Sequence, residues 1–240
     1  LTDNGKEFTD RLFSGDGPRQ DILIEDVIAH HIEGLYRFNA HGIPEWTDRH
    51  GAPGGGNSSA GIYLNQGNVR NVLIRNCEMF HCSWGFLVGG ENMILDRTFC
   101  HDNYVHNTSP HPAMTGVYRS YLQNSIFDAS GWHAYAGTMG IMLVDPVGFI
   151  VRNCHFLNMA DSGSHDSGGI DFEARGEGCV VDQCTFRNNA GAAIEVLGLQ
   201  SPQPRNVAIT RSRFIQNNVA HKLGPAEIFI WGRSPEIGRA

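Results

Sequence analysis

Apolar and polar residues alternate along short runs of this chain, and the runs repeat. Asn71-Val72-Leu73-Ile74-Arg75-Asn76-Cys77-Glu78-Met79 aligns with Gly148 to Phe156, with Gly178 to Phe186 and with Asn206 to Phe214. Apolar residues recur at the same places, and Asn, Gln or Arg precedes a small Cys or Ser. Weaker copies run from Ile22 to Ala29, Met93 to Cys100 and Ser120 to Phe127. A period of two predicts strands with one face buried. A second strand recurs between these units, at Gly61-Ile62-Tyr63-Leu64, Gly85-Phe86-Leu87-Val88, Gly140-Ile141-Met142-Leu143, Gly169-Ile170-Asp171-Phe172, Ala193-Ile194-Glu195-Val196 and Glu227-Ile228-Phe229-Ile230. Its first core residue falls at Ile141, Ile170, Ile194 and Ile228, with spacings of 29, 24 and 34 residues. Variable repeat length at constant strand phase puts the insertions in turns, as a solenoid requires.

A propeller would carry four strands per repeat, and a leucine-rich repeat would pair a Leu-rich strand with a helix. No window here has helical periodicity. The expected fold is all-β, a right-handed parallel β-helix forming a single domain over residues 1–240. The chain opens at Leu1 in what reads as an extended segment, and Pro235-Glu236 follow a strand without a cap. Truncation or processing at one or both ends is therefore expected.

From about Ile22 to Trp231 the pattern resembles the parallel β-helix repeat family of pectate lyases, polygalacturonases, alginate epimerases and several glycosidases. The resemblance implies a carbohydrate-active protein, met in a secreted or periplasmic setting. It does not choose the reaction, because one fold hosts many chemistries. The chain has no polygalacturonase-type Asn-Thr-Asp, Asp-Asp or Gly-His-Gly set and no Asp-Pro-His-Asp epimerase motif.

Twenty-nine glycines suit a fold built of tight turns. A formal charge of −7, from 25 acidic and 18 basic residues, argues against nucleic acid as a partner. It also makes a densely anionic polymer a less favoured substrate. No apolar run reaches membrane-span length and no signal peptide is present. Six cysteines would suggest disulfides, but Cys77, Cys154 and Cys184 share one inward repeat position, and Cys100 and Cys179 fall at other core positions. Buried free thiols are the expectation.

Chemistry concentrates on the outward positions of the second strand. Read coil by coil they are Tyr63, Leu87, Met142 and Val144, then Asp171 and Glu173, Glu195 and Leu197, Phe229 and Trp231. Strands stack about 4.8 Å apart, so Asp171 and Glu195 are expected to face solvent as a pair, with Glu173 on the same wall. Like charges that close cannot both ionise freely. One raised acid beside one ionised carboxylate is what glycosidic cleavage uses. The expected roles are Asp171 as nucleophile, kept ionised by Arg175, and Glu195 as acid. Tyr63, Phe229 and Trp231 offer faces for sugar rings. The loops add Trp132 and His133, His165 and Asp166, and His221, as rim groups that touch substrate, with His165 a further catalytic candidate. Should calcium bind, Asp145, Asp171, Glu173 and Asp166 are hard oxygen ligands. No spacing matches a defined metal motif, so no cofactor is expected. Asn76, Asn153, Asn188-Asn189 and Asn217-Asn218 read as structural turn asparagines.

Three functions compete on this pattern: a glycoside hydrolase using the paired carboxylates, a polysaccharide lyase, and a non-catalytic binding rod. A lyase needs a base, and with only Lys6 and Lys222 as lysines it would fall to Arg175, His165 or Tyr63. A binding rod would show a flat Thr or Asn ladder, and the carboxylate wall has none.

Overall fold

The computed structural model describes residues 19–32, 36–38, 44–46, 60–64, 69–82, 84–103, 106–109, 119–129, 139–161, 166–173, 176–198, 205–221 and 226–232. These wind into three seven-stranded sheets in which every pairing is parallel, plus a short antiparallel pair, Tyr36–Phe38 with Pro44–Trp46. Each coil contributes one strand to each sheet in turn. One coil, for example, runs Ile150–Arg152, His155–Leu157 and Gly168–Glu173. Among the described residues there is no helix.

The repeated nine-residue unit is two strands, not one. It bends at the residue before the small Cys or Ser, as between Val69–Arg75 and Glu78–Phe80. That residue is left-handed in every coil: Asn76, Asn124, Asn153 and Gln183 have φ of 52°, 52°, 51° and 56°. Asn tolerates this conformation better than most side chains, which explains the Asn-Cys signature. Two further left-handed columns turn each coil, one through Asn71 and Asn92, the other through Asn158 and Asn188. Their amides bond along the coil axis, Asn92 to Asn71 at 2.9 Å, Asn153 to Asn124 at 2.8 Å and Asn188 to Asn158 at 2.9 Å.

Inside, one register position holds Phe127, Phe156, Phe186 and Phe214, stacked with ring centroids 5.0, 5.0 and 5.2 Å apart. Cys77, Cys154 and Cys184 share another inward position, with Thr98 and Ser125 completing it between Cys77 and Cys154. All six cysteines are free and buried, as expected. The Asn pairs divide their work: Asn188 and Asn218 are left-handed, while Asn189 and Asn217 turn inward and are buried.

The third sheet carries the wall of interest. Its strands run, in spatial order, from Ala60–Leu64 through Trp84–Val88, His106–Ser109, Met139–Val144, Gly168–Glu173 and Ile194–Gly198 to Ile228–Gly232. Ile141, Ile170, Ile194 and Ile228 are register partners, as the spacing predicts. The glycine that opens these strands is a packing requirement. A Cβ on Gly169 would stand 2.5 Å from Cδ1 of Phe186 and 2.6 Å from the Ala193 carbonyl oxygen. The strand bearing Asp171 therefore rests directly on the phenylalanine stack.

Candidate active site

Asp171 and Glu195 are direct register partners, in one row with Met142 on one side and Phe229 on the other. The neighbouring row reads Val144, Glu173, Leu197, Trp231. Adjacent strands put the two Cα atoms about 4.8 Å apart. Asp166 joins them from the preceding loop. Its segment is fixed by the Gly191 N–H, which donates to the Ser167 carbonyl at 2.7 Å. A Cβ on Gly191 would come within 2.1 Å of the Asp166 carbonyl oxygen, so only glycine lets the two coils approach this closely.

The pair points outward from the coil but does not face solvent, and here the sequence expectation is corrected. Asp171 is 5% exposed and Glu195 is 0% exposed. The reason was visible in the row itself: Tyr63, Leu87 and Met142 are apolar or aromatic at outward positions, as suits a covered face. Among the described residues, Oδ1 of Asp171 and both carboxylate oxygens of Glu195 have no hydrogen-bond partner. Among the described residues, no ion pair reaches either group.

Burial without a counter-charge pushes both carboxyls up. Asp171 rises well above the ordinary carboxylate range, first through burial and then through Glu195, Glu173 and Asp166. Glu195 is pushed up to about 8 by burial and by Asp166. Glu173, half-buried, is raised by the same two causes. Both members of the expected pair are thus raised together. Neither carboxyl has a described counter-charge to hold it ionised, and Arg175, expected to do so for Asp171, lies outside the described residues. The two carboxyls titrate as a unit, with three carboxylates acting on Asp171.

The other candidates divide clearly. Phe229 is half-buried in the pair's own row, and Trp231 is 51% exposed in the next row. Tyr63 is buried against Ala60, Leu87 and Trp84, several strands away along the sheet, and is no part of this site. His221 is exposed in a left-handed turn whose N–H bonds the Asn218 carbonyl at 2.9 Å, a turn-forming role. Asp145 turns the chain after Met139–Val144, with φ of 51°. Trp132, His133 and His165 lie outside the described residues. Among the described residues no group of three or more His, Cys, Asp or Glu is arranged to hold a metal ion. Asp145, Asp171 and Glu173 thus form no such set.

A solved structure described as the crystal structure of the Agl-KA catalytic domain is similar over 77% of this chain and 50% of that one, at 12% identity and a TM-score of 0.33. The chain therefore spans half the length of that structure. No curated protein matches the sequence. The family described as the right-handed β-helix region matches residues 55–235, the stretch holding both carboxylates and the coils on either side of them. Sequence match and coil geometry agree, and the chain belongs to the right-handed β-helix family.

Proposed function

We propose that the protein is a glycoside hydrolase whose reacting groups are Asp171 and Glu195. The observation that carries this reading is that two register-paired carboxyls are buried side by side with no donor among the described residues. Leaving such groups unsatisfied costs roughly 1–3 kcal/mol each or more. A site that sustains this cost is built for a bound partner rather than for stability.

In the reaction, the Asp171 carboxylic acid gives its proton to the glycosidic oxygen as the bond to the anomeric carbon breaks. Glu195, ionised, attacks that carbon and forms a glycosyl ester. Water then attacks the same carbon, Asp171 takes the water's proton, and the Glu195 carboxylate leaves. Strand spacing near 4.8 Å suits this double displacement, in which the two carboxyls stand about 5–5.5 Å apart and configuration is retained. Trp231 offers an exposed aromatic face in the adjacent row for a neighbouring sugar ring.

The test is cleavage of a polysaccharide panel by the wild type and by Asp171→Asn and Glu195→Gln. New reducing ends without the absorbance of an unsaturated uronate are expected, and each variant should lose about 10²–10⁴-fold in rate while remaining folded. Unsaturated products would make the protein a lyase instead. Unchanged rates in both variants would remove the site.

A further inference from the structure

We infer that the sugar unit seated on Asp171 and Glu195 carries a protonated amine, so that the ligand class is an amino sugar whose nitrogen is not acylated. For the bond broken this rests on the hydrolase reading; for what binds, it stands on the site itself.

The fold supplies its own control. Three acidic side chains are buried among the described residues: Asp171, Asp182 and Glu195. Asp182 is fully provided for. Arg211 donates to it at 2.8 and 2.6 Å, Arg152 at 3.2 Å and the Thr210 hydroxyl at 2.9 Å. The coil can thus bring arginines over a buried carboxylate when the structure needs one neutralised. Among the described residues it brings none to Asp171 and Glu195, and three carboxylate oxygens have no donor there. Glu173 adds a third acid one row away and Asp166 acts on all three.

An ammonium group matches those oxygens in number and in charge. It carries three N–H donors and no acceptor, against three oxygens lacking donors. Hydrogen bonds between ionised partners are about twice as strong as neutral ones. A neutral sugar hydroxyl brings one donor and no charge, and a uronate would add a negative charge to a cluster already short of positive ones. The exposed Trp231 face on the next row lets an adjoining ring stack while the amine sits over the acids.

Cation binding also has a signature that mere stickiness lacks. A positive charge lets one member of the pair ionise, so binding expels one proton. Affinity should then rise by up to about tenfold per pH unit between roughly pH 5 and 7, until the amine itself deprotonates.

The experiment is calorimetric titration with oligomers of glucosamine and of galactosamine, their fully N-acetylated counterparts and a neutral gluco-oligomer, with cleavage followed separately. The free-amine oligomers should bind at least about tenfold tighter than the acetylated and neutral ones. They should release a proton on binding and lose the preference in Glu195→Gln and in Asp171→Asn. Equal or tighter binding of acetylated or neutral oligomers, or no binding by any, overturns the inference. Cleavage is an independent axis. Selective free-amine binding without cleavage of any glycan would sink the hydrolase reading and leave the ligand class standing. Pair-dependent cleavage of a neutral glycan, with no free-amine preference, would do the reverse.

Discussion

Cys184 shows how a single position can look like redox chemistry and be a hydrogen bond. It sits just after the left-handed Gln183, where its Sγ donates to the Asp182 carbonyl at 3.3 Å and to the Val151 carbonyl of the preceding coil at 3.8 Å. Cys154 and Cys77 do the same, at 3.2 Å to Arg152 and Arg75. Where the column carries serine, the hydroxyl takes over: Ser125 donates to the Gln123 carbonyl at 2.7 Å and Ser212 to the Thr210 carbonyl at 2.9 Å. In five of the coils the bend thus carries a small side chain with one donor aimed back at residue i−2, while Val27 fills the same position without one. Cys184→Ser should therefore cost no more than about 1 kcal/mol, whereas Cys184→Leu, overfilling the same space, should cost about 1–3 kcal/mol. Urea unfolding of the two variants checks this, and an equal loss in both would mean that the donor is irrelevant.

At the scale of the strand and its turns, polar groups inside the coil replace strand pairing where the chain leaves a sheet. Asn189 is buried; its amide donates to the Phe156 carbonyl at 3.2 Å and to Asn217 Oδ1 at 2.7 Å, and its oxygen accepts the Met159 N–H at 3.1 Å. Asn217 repeats the motif one coil on, bonding the Phe186 carbonyl at 3.1 Å, and Asn103 does so earlier, bonding the Met79 carbonyl at 3.1 Å. Asn189→Ala strands a buried N–H and a buried carbonyl and should destabilise by about 1–3 kcal/mol or more. The exposed ladder variant Asn188→Ala should cost less; thermal melts of the pair that rank the other way would reject this account. The same contrast explains what could be read from sequence. Phase survives any turn length, so Ile141, Ile170, Ile194 and the Asp171–Glu195 pairing were legible. The strand His106–Ser109 was missed because His-Asn-Thr-Ser has no apolar alternation. The bend inside the nine-residue unit was missed because each arm keeps a period of two and the slip between them is a single residue, Ile74 and Cys77 being buried three apart. The burial of the outer face was missed because period-two alternation says which residues point out and not whether they are covered, although Leu87 and Met142 pointed to it.

For the molecule as a whole, two buried acids pull stability in opposite directions with pH, and the site decides the outcome near neutrality. Asp182 is held at about 2, below its ordinary 3.8, by its hydrogen bonds to Arg211. Its contribution is present above about pH 3.8 and is lost as pH falls towards 2. Glu195 runs the other way, because its ordinary value is 4.5 and its folded value about 8. Below 4.5 both the folded and the unfolded chain hold that proton and there is no cost. Between 4.5 and about 8 the unfolded chain has released it and the folded chain has not, so folding becomes less favourable as pH rises. The slope is at most about 1.4 kcal/mol per pH unit for one proton, and Asp171, raised in the same direction, extends the decline. The melting temperature should thus peak near pH 4–5 and fall towards pH 8. Glu195→Gln should match the wild type near pH 4.5, decline less steeply and melt higher at pH 8, while Asp182→Asn should lose stability chiefly above pH 4. Circular dichroism melts from about pH 3 to 9 read all three curves, and a wild-type profile flat or rising between pH 5 and 8 would show that Glu195 is not a buried, uncompensated acid. A variant that is more stable and yet inactive separates function from folding at this pair. A cationic ligand that restores the lost stability at pH 7 in the wild type, and not in Glu195→Gln, would locate its charge on this carboxylate.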